Sequence, residues 1–227
     1  MKPLTKLCLW LALALMLAAC RDSSSDNDDS DTAPEPETGP QPIYPGLVVN
    51  PTFELREDTQ FLDRPWSFTQ HATADSYTYE IENEALKLIR TGHEPWGQIS
   101  QRIATTEFAG ERMRYSAWLK ASLDDSFEPG FETTGLAISV YGRSANPMAG
   151  SSLLFSRDSA VPVEFGNYGW ARHDLEFDLP DHASHVEIRF RLTRGGWIKV
   201  KHPSLLPIDA EPKSGPITQE PAEKSRQ

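Results

Sequence analysis

The chain has 227 residues, 38% of them hydrophobic and 24% charged, with a formal net charge of −11 at pH 7. An acidic chain without a Lys/Arg run argues against nucleic acid as the main ligand. Its two cysteines, Cys8 and Cys20, both fall within the first twenty residues; everything downstream must stand on a hydrophobic core, without cysteine-built zinc sites or thiol catalysis.

The N-terminus opens with Lys2 and Lys6 and continues as an apolar run from Leu7 to Ala19. That run falls short of the roughly 20 apolar residues a bilayer span needs and has the shape of a secretory signal. Leu17-Ala18-Ala19-Cys20 resembles the bacterial lipobox. The resemblance implies removal of residues 1–19, together with Cys8, and acylation (palmitate) of Cys20 as the mature N-terminus. The product would be a lipid-anchored protein of the bacterial cell envelope. An ordinary cleaved signal with an incidental cysteine is the alternative. Arg21 follows where an Asp commonly marks inner-membrane retention, so the outer membrane is expected if the source is Gram-negative.

Residues 20–42 follow as a linker. Segment 21–42 has five Asp and two Glu against one Arg, and no aromatic or branched aliphatic residue. Such a segment cannot bury enough apolar surface to offset its ordering entropy, and it reads as a disordered stalk. Residues 209–227 read as a disordered tail for the same reason. Residues 43–208 are long enough for one domain with a single core.

Within that domain the pattern has period two. Met113–Leu119, Leu136–Tyr141, Leu175–Leu179 and Val186–Leu192 alternate. Tyr79–Leu88 reads as a hairpin turning near Glu82-Asn83-Glu84, and Gly195-Gly196 as a tight join between two strands. No window carries a helical period. The fold class is therefore all-β, an antiparallel β-sandwich.

Asn50-Pro51-Thr52-Phe53-Glu54 with Trp66, then Phe108–Lys120, then Gly169-Trp170 and Leu179-Pro180, resemble in order the motifs of carbohydrate-binding modules of families 4 and 9. Those modules are galactose-binding-like jelly rolls. The resemblance spans Leu47 to Leu206 and implies a jelly roll that binds sugar. It departs at Trp197–Leu205, where Lys199 and Lys201 stand in place of the acids that help hold the family's structural calcium. Hard cations shun ammonium groups, so neither calcium nor any other cofactor is expected.

Alternation also sorts the strands into faces. Arg114 and Trp118 fall opposite the apolar set of one strand, Tyr141 of another, and Glu187 and Arg189 of a third. These five are expected on neighbouring sheet surface, with the aromatics as platforms for sugar C–H faces and the charged groups for hydroxyls or uronate carboxylates. The plain alternatives are a solvated face with cross-strand Arg–Glu pairs, or a loop covering Trp118. His93 and Trp96, in a loop before the strand Gly97–Ile103, are second-rank candidates. Trp66 and Trp170 are expected in the core, and Trp197 is undecided.

Three functions compete. The leading one is a non-catalytic, membrane-anchored carbohydrate-binding lipoprotein. A protein-interaction lipoprotein serving an envelope or polysaccharide-assembly complex could use the same face, since Trp, Tyr and Arg also dominate protein hot spots. An enzyme would need a carboxylate pair, for which Asp174, Glu176 and Glu187 are the nominees. No metalloprotease, serine-hydrolase or phosphate-cradling motif accompanies them, and no catalytic residue is expected.

Overall fold

Alternation of apolar and polar residues builds ten strands among the described residues: β1 (Ser67–Gln70), β2 (Tyr77–Glu82), β3 (Ala85–Arg90), β4 (Gly97–Ala104), β5 (Arg112–Asp124), β6 (Gly135–Arg143), β7 (Ser151–Ala160), β8 (Gly166–Asp178), β9 (Ala183–Leu192) and β10 (Gly195–Pro207). They come from a computed structural model that describes residues 39–57, 59, 61–72, 75–130, 133–143, 150–160 and 165–210. The expected signal, Cys20 and most of the linker and tail lie outside the described residues. Within them, no helix is long and apolar enough to cross a membrane.

The strands form two antiparallel five-stranded sheets, ordered β1-β4-β9-β6-β7 and β2-β3-β10-β5-β8. The pairs β3–β10, β4–β9, β5–β8 and β6–β7 nest one inside the next, as in a long hairpin rolled on itself. That nesting is a jelly roll. It closes one face of each sheet over a shared core that includes Leu86, Leu88, Tyr115, Ile138, Ile188 and Phe190, all inaccessible to solvent. The alternate residues of each strand then form two outer faces, one per sheet.

Three of the four alternating segments fall inside strands, in β5, β6 and β9, and the fourth, Leu175–Leu179, runs one residue past the end of β8 at Asp178. The β2–β3 hairpin turns on Asn83 and Glu84, both at positive φ (50° and 60°), as a two-residue turn that matches strand twist requires. Gly195-Gly196 departs from expectation. β9 and β10 belong to different sheets, so the pair closes no hairpin. It opens β10, where Asp124 and Ser122 of the adjacent strand press so close that a Cβ would collide with them.

Residues 46–57 and 61–66 plug the core, burying Val48, Phe53, Leu62 and Trp66. Asn50 clasps Glu54 with both amide atoms, accepting from its N–H (2.7 Å) and donating to its carbonyl (3.1 Å). This clasp directs Phe53 inward at φ 59°. The left-handed region costs a non-glycine residue about 1–2 kcal/mol, which burial of a phenyl ring offsets by about 1.5–3 kcal/mol. Phe53 packs at 5.2 Å from Trp66 and 5.8 Å from Phe190, and Trp66 Nε1 donates to Asn50 O at 2.7 Å. Trp66 is thus a core residue, 4% exposed. The Asn50, Phe53 and Trp66 signature holds the sandwich together, its two aromatics inside the core and Asn50 clasping the turn above them.

Candidate functional site

The five residues expected on neighbouring surface are divided by the sandwich. β5 belongs to one sheet and β6 and β9 to the other, so Arg114 and Trp118 lie on one outer face and Tyr141, Glu187 and Arg189 on the opposite one. The expectation of one shared surface is corrected. Alternation places a residue inside or outside a strand, but strand order decides which outside.

On the β1-β4-β9-β6-β7 sheet the register builds three cross-strand rows. They are Ser100, Arg189, Ala137 and Asp158; then Arg102, Glu187, Ser139 and Ser156; then Ala104, His185, Tyr141 and Leu153. Arg189 and Glu187 are recessed, their side chains only 12% and 18% exposed. Arg189 Nη2 donates to Ser139 Oγ at 2.5 Å, but its Nη1 stands 3.8 Å from Glu187 Oε2. The Tyr141 hydroxyl reaches Glu187 Oε2 at 3.3 Å. The network is loose for groups this far from water, where polar atoms are normally well satisfied.

The atoms on this face that are buried without a hydrogen-bond partner include Arg189 Nε and His185 Nε2. Their chemistry differs. Ser184 Oγ donates its one proton to Tyr141 O at 3.1 Å and so accepts from His185 Nδ1–H at 3.0 Å. Burial holds the His185 pKa below its ordinary value, helped by Arg102 and opposed by Glu187. A neutral ring protonated on Nδ1 leaves Nε2 as an acceptor. The face therefore offers a buried donor at Arg189 and a buried acceptor at His185. Beside the latter, the Tyr141 and His185 rings stack at 4.7 Å and 7°, with the Arg102 guanidinium 5.7 Å from the Tyr141 centroid.

Trp96 immediately precedes β4, in the same alternation phase as Gln98, Ser100 and Arg102, and is half-buried at the far end of this face. His71 holds the neighbourhood: its N–H donates to Trp96 O, its ring meets Glu94 Oε2 at 2.8 Å, and it packs edge-on to Trp96 at 6.0 Å. His93 is exposed and lies edge-on to Phe127 at 5.4 Å, at the loop end and outside the three rows. Behind both loops sits Arg90, 4% exposed. It donates to the carbonyls of Gly92, Glu128, Thr193 and His93 at 2.9–3.1 Å and packs against the Tyr77 and Phe127 rings. Arg90, at the end of a strand that otherwise reads as core, was not a sequence candidate. Neither were Arg102 and His185, although extending the period-two reading by one residue N-terminal to Val186 would have placed His185 beside Glu187.

The opposite face is tied down. Arg114 donates through Nε and Nη2 to Glu176 Oε1 at 3.0 and 2.8 Å, and Arg112 takes the other oxygen at 2.9 Å. Arg172 and Ser116 both bond Asp174 Oδ1. Trp118 Nε1 donates to Gln41 O at 2.9 Å, so a stretch assigned to the linker crosses this ring. These are the cross-strand pairs and the covering segment of the plain alternatives. The three acids nominated for hydrolysis do not converge, because Asp174 and Glu176 are engaged here and Glu187 lies on the other sheet. Trp170, expected in the core, is half-buried beside a β8 bulge. It lines an open cavity of about 420 Å³ with Leu119, Tyr168 and His173. Among the described residues, no three His, Cys, Asp or Glu side chains cluster as a metal ion would need.

No family model and no curated protein matches the chain. Solved structures similar to it include a CBM4 module (17% identity, TM-score 0.38, covering 74% of this chain and 94% of that one). A CBM61 module in complex with β-1,4-galactotriose is similar at 11% identity and TM-score 0.38, covering 72% and 99%. The enzymatically active domain of bacteriophage CBA120 tailspike protein 4 is similar at 18% identity and TM-score 0.44, but the match covers 64% of this chain and only 20% of that one. At such identities and TM-scores these are likenesses alone. The jelly-roll assignment stands on the chain's own strand order and register.

Proposed function

We propose that this protein is a non-catalytic carbohydrate-binding lipoprotein, held at the bacterial envelope through Cys20, whose outer β1-β4-β9-β6-β7 face binds glycan. One observation carries the reading: a buried unsatisfied donor, Arg189 Nε, and a buried unsatisfied acceptor, His185 Nε2, on one polar sheet face. A hydroxyl both donates and accepts, so a polyol meets both needs at once. Leaving either atom unpaired costs about 1–3 kcal/mol, which ligand hydroxyls would recover. Tyr141 with His185 at one end and Trp96 at the other supply apolar ring surface for sugar C–H groups. From Trp96 to Ala104 the face runs eight residues of extended chain, roughly 26 Å, which accommodates several sugar rings in line.

Affinity electrophoresis and a glycan array with the purified chain test this, beside Arg189→Ala and His185→Ala variants of unchanged melting temperature. Binding to one glycan class, lost in both variants, is expected. Release of reducing ends or unsaturated products would overturn the non-catalytic reading, and silence on every glycan would transfer the face to an envelope protein partner. Labelling of the wild type, but not of Cys20→Ala, by an alkynyl fatty acid in a bacterial host tests the anchor.

A further inference from the structure

Lys199 and Lys201, the two residues at which the chain departs from the calcium-holding pattern, belong to a larger arrangement. Between residues 39 and 210 the sequence contains four lysines: Lys87, Lys120, Lys199 and Lys201. All four project from the outer face of the β2-β3-β10-β5-β8 sheet, each preceded in its strand by a buried core residue: Leu86, Leu119, Ile198 or Val200. Lys87, Lys199 and Lys120 stand directly opposite one another across β3, β10 and β5, and Lys201 pairs with Trp118 in the next row.

Like charges directly opposed across a sheet destabilise it. Three ammonium groups in one row, with a fourth beside them, therefore form an arrangement that folding alone does not favour. Glu80 and Glu82 of β2 neutralise two of them, at Lys87 (3.0 Å) and Lys199 (2.7 Å). Lys120 and Lys201 have no carboxylate partner among the described residues. Trp197 lies between Lys87 and Lys199, its ring 5.9 and 5.7 Å from their ammonium groups, and stays half-buried on the same face.

We infer that this lysine row is a second binding site, for an anionic polysaccharide whose carboxylate or sulfate groups take Lys120 and Lys201. The inference is independent of the hydroxyl-binding face on the opposite sheet. The shape of the charge selects the class. The row crosses three strands, about 10 Å, and is bordered on one side by Glu80 and Glu82 of β2 and on the other by the β8 bulge at Gly169-Trp170 and by Arg172. A flat anionic bilayer would press on those carboxylates, and so would the broad backbone of a nucleic-acid duplex. A single polysaccharide thread fits beside them, with Trp197 next to its path.

The test uses the purified chain in affinity gels containing alginate, dextran sulfate or neutral dextran, in about 0.15 M salt, where exposed charges are screened within about 8 Å. Retardation by alginate or dextran sulfate and not by neutral dextran is expected, with alginate against dextran sulfate separating carboxylate from sulfate recognition. Lys120→Gln/Lys201→Gln should weaken retention roughly three- to tenfold, the size of two exposed ion pairs. The same double substitution should leave or slightly raise the melting temperature, because it relieves repulsion. Arg189→Ala should leave the excess retention by the polyanions over neutral dextran unchanged, which separates failure of this site from failure of the glycan face. No retention, equal retention of the double variant, or equal binding of duplex DNA or phosphatidylglycerol vesicles overturns the inference.

Discussion

The two outer faces of this sandwich are built by one rule and end in different states. Both present every second residue of five antiparallel strands, and both are rich in arginine or lysine. On the β2-β3-β10-β5-β8 face the arginines are spent on neighbours: Arg114 and Arg112 on Glu176, Arg172 on Asp174. In the lysine row, two ammonium groups keep no carboxylate partner among the described residues. On the β1-β4-β9-β6-β7 face Arg189 and Glu187 are recessed and poorly matched, 3.8 Å apart. A carboxylate directly across the strand satisfies an arginine, while serine and alanine opposite it leave capacity for a ligand. Unsatisfied donors and acceptors, more than the number of charged residues, distinguish the face able to take a neutral polyol.

The comparison depends on a common core, and the largest effect comes from breaking that. Phe53→Ala should cost about 3–5 kcal/mol, seen as a large fall in melting temperature, and should remove binding on both faces together. Arg90→Ala should come next, at about 2–4 kcal/mol, because it strands buried carbonyls that a charged donor satisfied. Its loss loosens the loop that carries Trp96, so it should weaken glycan binding on the arginine face and spare the lysine row. Retention of full glycan binding by a folded Arg90→Ala protein would detach Trp96 from the site.

Acidification should separate the faces without a mutation. The folded-state pKa of His185 lies below the ordinary 6.5, chiefly through burial, as do those of His173 and His202. The folded form thus binds fewer protons than the unfolded chain as pH falls below 6.5, and stability drops across the window between the unfolded and folded values. Protonated Nε2 also ceases to accept, so glycan binding should weaken over the same window, whereas ammonium groups stay charged and polyanion binding should not. A pH titration of affinity, repeated with His185→Gln, measures this. The smallest effect is expected for Trp118→Phe, which removes the bond to Gln41 O and should cost about 0.5–1.5 kcal/mol with little change in glycan affinity. A large loss of glycan binding there would return Trp118 to the site.

Much of the fold was legible because alternation is a local property. Val186–Leu192 declares its buried side whatever it pairs with, and Asn83-Glu84 marks a hairpin because a two-residue turn needs positive φ. The Asn50, Phe53 and Trp66 motif was legible as a resemblance and turned out to serve packing. What alternation cannot carry is partnership. Nothing within Met113–Lys120 says that Glu176 lies across from Arg114, or that Gln41 reaches Trp118 from 77 positions away.

From its sequence alone this chain is an all-β sandwich with one core, an acidic balance and a signal-like start, because side-chain period, composition and short motifs act over a few residues. Strand order came only with the tertiary structure. It split the five expected site residues between opposite sheets, joined His185 and Arg102 to Tyr141 and Glu187, and lined up three lysines scattered between positions 87 and 199 in one row. Those outcomes depend on hydrogen-bonded register between distant strands, and register is settled by how the whole core closes.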